Sequence, residues 1–198
     1  MNEKYVDTGR ISQKLKTRSK IIKSAQDFLA KGQSFTLEDV ASASGVSRAT
    51  VYRYYSNVEL LAGEAGLDLN TDSPEEIYER LKHLDTPEII LGIQEYFNHF
   101  TLKNEPALRK YLSAVIANPS PEKMREARRM QTINLALQKS NLKLDKKEIE
   151  KLSNISAVLM GMEPFIITKD VCRLNDKKST ETLSWGLKMI LKGLLSQK

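Results

Sequence analysis

Between positions 47 and 54 the sequence reads Ser-Arg-Ala-Thr-Val-Tyr-Arg-Tyr, which places four hydroxyls and two guanidinium groups close together with no carboxylate among them. Such groups donate hydrogen bonds and carry positive charge, so they suit a partner rich in acceptors and negative charge. Arg48 can address guanine O6 and N7 with two parallel bonds, and Thr50 can meet a thymine methyl or a phosphate. Tyr52 and Tyr54 can bond phosphate oxygens while packing on sugar. Arg53 is the weaker member, because its helical angle turns it toward the backbone or solvent.

These residues need a short helix held at a fixed angle to a second one, and the preceding residues supply it. Thr36 starts a helix as its N-cap, with Asp39 three positions on to return the bond. Counting from Leu37, a small residue (Ala41) falls at the fifth place, Gly45 at the ninth and Val51 at the fifteenth. That is the demand of a helix-turn-helix. The helices cross closely at the small residue, the turn needs positive φ, and a β-branched side chain plugs the angle between them. Val40, Val46 and Tyr55 complete a small core. Ser47 caps the second helix and Asn57 the next. The candidate DNA-binding residues are therefore Thr36, Ser47, Arg48, Ala49, Thr50, Tyr52, Arg53, Tyr54 and Asn57. Singly, the caps and surface aromatics have ordinary structural uses; it is the combination, beside a basic first helix, that points to DNA.

The run Thr36-Leu37-Glu38-Asp39-Val40-Ala41, followed by Ser44-Gly45-Val46-Ser47-Arg48-Ala49-Thr50-Val51-Tyr52-Arg53-Tyr54-Tyr55, resembles the N-terminal domain of the tetracycline-repressor (TetR) family. The likeness covers roughly residues 17 to 65. It implies a homodimer whose C-terminal helices form a four-helix interface and whose body holds an effector pocket. One position departs from the family pattern: after the Asn57 cap, where a lysine usually touches phosphate, this chain has Val58. One counterion fewer is then expected in the salt dependence.

Charge agrees with the motif. The 198-residue chain has a net charge of +6, and residues 10 to 53 alone carry nine bases against three acids. A basic end on a balanced body favours a polyanion. No apolar run approaches the roughly 20 residues of a spanning helix, and no secretory signal is visible at the start. With a single cysteine, Cys172, no intrachain disulfide can form. These features predict a cytoplasmic protein with no membrane association, and Cys172 reads as core.

The fold class is all-α: a three-helix helix-turn-helix domain over 1–60 that includes a mobile basic N-terminal tail, and a helical effector-binding and dimerisation domain over 61–198, about nine helices altogether. Helices are expected over 13–31, from 58 to about 70, from Ser73-Pro74, from Thr86-Pro87, and over 105–117, 121–140, 145–173 and 179–196. The last helix is apolar on two sides, through Leu183, Leu187, Ile190, Leu191 and Leu194 and again through Trp185 and Met189. Residues 145–173 show the same excess, with Gly161 permitting close approach and Pro164 expected to kink the helix. These two segments are the expected homodimer interface. Tyr96, Phe100, Tyr111, Gln131, Asn134 and Glu163 are the candidate ligand-binding residues, sparse polar groups among apolar helices. No cofactor, metal site or catalytic constellation is legible, so no enzyme is expected. The reading is a sequence-specific regulator of a double-stranded DNA operator, a repressor released by a small-molecule effector; the alternative is a DNA-bound scaffold that recruits a protein partner and has no small-molecule effector.

Overall fold

The computed structural model describes residues 3–117 and 128–196. Among them the chain forms helices and no strand: α1 (Glu3–Ala30), α2 (Leu37–Ser44), α3 (Arg48–Tyr54), α4 (Val58–Leu69), α5 (Pro74–Leu81), α6 (Thr86–Lys103), α7 (Glu105–Ala117), α8 (Arg128–Gln138), α9 (Lys146–Val158), α10 (Met162–Ile166) running into a π-helical turn (Ile167–Val171), and α11 (Asp176–Leu195). The first residues of the helix expected over 121–140 lie outside the described residues. The helices gather into two compact units, one reaching Thr71 and taking in α7 from Arg109, the other running from Asp72 to Leu108 and containing α8 to α11.

In the first unit, Ile21, Ile22 and Ala25 of α1 are buried with Val40 and Ala41 of α2, Val51 of α3 and Leu60, Leu61 and Ala65 of α4. α4 thus belongs to the motif's own core. Charge is buried here too. Arg18 pairs with Glu64, both almost wholly enclosed, and the Tyr111 hydroxyl donates to the same carboxylate at 3.0 Å. Gln26 donates to Asp68 alongside. An enclosed carboxylate survives only when several donors satisfy it, and Glu64 has them.

In the second unit the core is drawn from Ile77, Ile90, Ile93, Ile133, Leu152 and Leu187. A polar clasp runs through it: Gln94, fully buried on α6, donates to the carbonyls of Leu159 at 2.8 Å and Leu183 at 3.1 Å, while the Ser184 hydroxyl donates to its Oε1. Both halves of the amide are used, as burial demands.

Five expectations are corrected. α1 begins at Glu3, not near residue 13, so the expected mobile tail is helical. Once a helix is nucleated, each polar residue without a breaker adds a hydrogen bond, even where no apolar period marks it. The single helix expected over 145–173 is broken at Gly161, whose φ is +89°. Pro164 causes no kink, because it stands in the first turn of α10, where its missing N–H has no partner to lose. Cys172 is exposed beyond the π-helical turn and is not core. α11 opens at Asp176, capped by Asn175, ahead of the expected residue 179.

Candidate nucleic-acid interface

The cap that starts α2 closes in both directions. The Thr36 hydroxyl accepts from the Asp39 N–H at 3.2 Å, and Asp39 Oδ2 accepts from the Thr36 N–H at 2.8 Å and from its hydroxyl at 2.7 Å. Those bonds, the hydroxyl's first and the backbone's second, hold the Asp39 carboxyl below its usual range. The shorter aspartate therefore completes the box that glutamate more often makes. α2 ends on Gly45 at φ +66°, whose N–H reaches back to the Ala41 carbonyl, so the turn uses the left-handed conformation that glycine adopts without strain.

Ser47 then caps α3, accepting from the Thr50 N–H at 3.2 Å, and the two hydroxyls lie 2.8 Å apart. With Val51 buried against α1 and α2, the period of the helix turns Arg48, Ala49, Tyr52 and Arg53 outward together, while Thr50 is half-buried. Asn57 caps α4, its side-chain oxygen accepting from the Leu60 N–H at 2.8 Å. Thr36, Ser47 and Asn57 are all exposed at helix starts.

Tyr54 departs from the expected surface. It is only 7% exposed, and its hydroxyl donates to the Lys14 carbonyl at 3.2 Å, fastening α3 to α1. Its position three residues after Val51 puts it on the same inner face, so it belongs to the core. Of the basic residues in the first helix, Arg18 is likewise withdrawn from the surface by Glu64, whereas Lys16, Lys20 and Lys23 are exposed.

Glu38 is a site residue that reading for bases and hydroxyls passed over. Its Oε1 accepts a hydrogen bond from the Tyr52 hydroxyl at 2.6 Å, linking the first turn of α2 to the outer face of α3. That bond chiefly, with the Arg48 charge a smaller contribution, holds the Glu38 carboxyl below its ordinary range. The same bond raises the Tyr52 phenol. An acid one residue after Leu37 was visible in the sequence, but the 14-residue separation from Tyr52 is bridged only by folding.

Of the six expected ligand residues, Tyr111 belongs to the first unit and the other five to the second. Tyr111 serves the Glu64 network of the first unit. In the second unit Tyr96 accepts from the Asp72 N–H at 2.7 Å with the Arg80 guanidinium over its ring, Asn134 accepts from Ser153 at 2.6 Å, and Glu163 is held by Arg129. Phe100 is half-buried on α6 and Gln131 exposed on α8. Among the described residues no helix is long and apolar enough to cross a membrane, and no three histidine, cysteine or acidic side chains cluster at metal-binding range. Compared with known proteins, the chain matches no family model and no curated relative.

Proposed function

We propose that this protein is a sequence-specific DNA-binding transcriptional regulator of the kind the TetR resemblance implies. The observation that carries the reading is the packed pair α2 and α3, joined at a left-handed glycine, which presents Arg48, Ala49, Tyr52 and Arg53 on one outward face. A helix so exposed and so rich in donors fits the major groove, where Arg48 reads a guanine and Tyr52 and Arg53 fix the register on phosphate. Ser47, Thr50, Thr36 and Asn57 lie beside that face at helix starts and add short hydroxyl and amide contacts.

The protein acts as a homodimer in this reading. Val158, Ile167, Val171 and Trp185 are more than half exposed, and Met189 lies on the same C-terminal helix as Trp185. Large apolar side chains left open on α9, the π-helical turn and α11 are the surface that a second copy would cover. Two recognition helices then enter major grooves about 34–36 Å apart on a two-fold operator. Regulation as a repressor released by a small-molecule effector rests on the resemblance. Such an effector acts only through different affinities for the DNA-bound and free conformations.

The test is selection of bound fragments from random duplex DNA, followed by titration of the enriched sequence. Arg48→Ala is expected to weaken binding by about 1–3 kcal/mol and to relax preference at one base pair of each half-site. Equal enrichment of all sequences, or an Arg48→Ala variant of unchanged preference with its helical content intact, overturns the reading.

A further inference from the structure

We propose that Glu38 is a specificity-determining residue that restrains Tyr52 from indiscriminate phosphate binding. The inference rests on the DNA-binding reading above and adds a residue of opposite charge to it. A phenol has one proton to give, and phosphodiester oxygens only accept. In the free protein that proton goes to Glu38, since Tyr52 is the donor and the carboxylate, at 2.6 Å, the acceptor. Tyr52 can therefore bond a phosphate only by releasing Glu38, which leaves a carboxylate facing a polyanion.

An acid in the first turn of α2 has a simpler use, since negative charge suits a helix start. That use does not require the bond to α3. Asp39 already supplies first-turn charge and completes the cap with Thr36. What distinguishes Glu38 is its reach across to the outward face, where it bonds Tyr52 and lies near enough to feel the Arg48 charge. It thus lowers the pull of both principal donors on any nearby anion. A matched operator offsets the loss through base contacts, whereas a random duplex offers only phosphate. The carboxylate therefore widens the gap between specific and non-specific affinity.

The experiment measures binding of the full chain to a labelled random-sequence duplex and to the selected operator, at fixed low salt, for wild type, Glu38→Ala, Glu38→Gln, Tyr52→Phe and Tyr52→Phe combined with Glu38→Ala. Glu38→Ala is expected to tighten random-duplex binding about five- to tenfold, the scale of one removed surface repulsion plus a released donor. Operator binding tightens less, so the specificity ratio falls. Glu38→Gln, neutral but still an acceptor, lies between. In the Tyr52→Phe background the gain shrinks to about twofold, because only the charge effect remains. A spectrophotometric titration of the free protein should show the Tyr52 phenol ionising at lower pH once Glu38 is alanine, a change that a purely structural role at the helix start does not produce. If wild type binds the duplex and Glu38→Ala binds it equally or more weakly, this inference fails alone. If wild type has no duplex affinity at low salt, the DNA reading fails and takes this inference with it.

Discussion

Replacing Gly161 with alanine tests whether the break between α9 and α10 is built around one guanidinium. Gly161 adopts φ +89° and ψ −167°, a region that only glycine occupies freely, so any side chain there costs about 1–3 kcal/mol. A Cβ on the same backbone would also overlap Arg129 Nη1. Arg129 now makes two bonds to Glu163, at 2.8 and 2.9 Å, and one to the Met160 carbonyl at 2.5 Å. Its side chain is 25% exposed and that of Glu163 34%, so the pair itself is screened and worth only about 0.5–1 kcal/mol. Losing the bond to Met160 adds about 1 kcal/mol. Strain and displacement together predict a loss of roughly 3 kcal/mol, or about 1.5 M in the urea midpoint for a slope near 2 kcal/mol per molar. The assay is urea denaturation followed by far-ultraviolet circular dichroism at fixed protein concentration, with Arg129→Ala and the double variant alongside. In the Arg129→Ala background the overlap is gone, and the Gly161→Ala penalty should fall toward the backbone cost alone. A midpoint within about 0.3 M of wild type for Gly161→Ala would refute the reasoning.

Three further outcomes follow. Glu64→Ala removes the partner of a buried guanidinium and an acceptor of Tyr111, and should destabilise the first unit by about 3–5 kcal/mol in chemical denaturation, against about 1–2 kcal/mol for Tyr111→Phe; equal and small losses would show that the network carries little. The Asp39 carboxyl is depressed in the folded state by Thr36, so its contribution is present above the ordinary aspartate value of 3.8 and is lost as pH falls through the lower folded value. Asp39→Asn should therefore flatten the acid limb of the stability profile measured by thermal melts at stepped pH, and an unaltered limb would speak against the cap. Trp185→Glu places a charge on the exposed apolar side of α11 and should shift sedimentation toward monomer while leaving helical content unchanged; a wild-type protein that is already monomeric at micromolar concentration removes the basis of the dimer reading.

Much of the candidate site was legible because it is local. The caps at Thr36, Ser47 and Asn57 act within three residues of themselves, and Gly45 is required by the conformation of its own backbone. Val51 and Tyr55 could be placed inward from helical period. Period misassigned Tyr54, since a seven-residue helix gives too few turns to fix the boundary of its buried face, and contact with α1 settled it. The polar residues of the body were less legible still, because a glutamate, an asparagine or a tyrosine on an apolar helix reads alike whether it meets a ligand or a neighbouring chain segment. Glu163 meets Arg129, Asn134 meets Ser153, and Tyr111 meets Glu64.

The order of residues from Thr36 to Asn57 by itself determined a capped helix, a glycine turn and a second capped helix, because each of those devices works through bonds between near neighbours along the chain. Tertiary structure alone decided that Arg18 leaves the basic surface for Glu64, that Arg129 packs against Gly161 where the expected helix breaks, and that Glu38 accepts the hydrogen bond of Tyr52. Those outcomes depend on which side chains meet across 14 or more residues, and the energy of such a meeting belongs to the pair and its burial, not to either residue's place in the sequence.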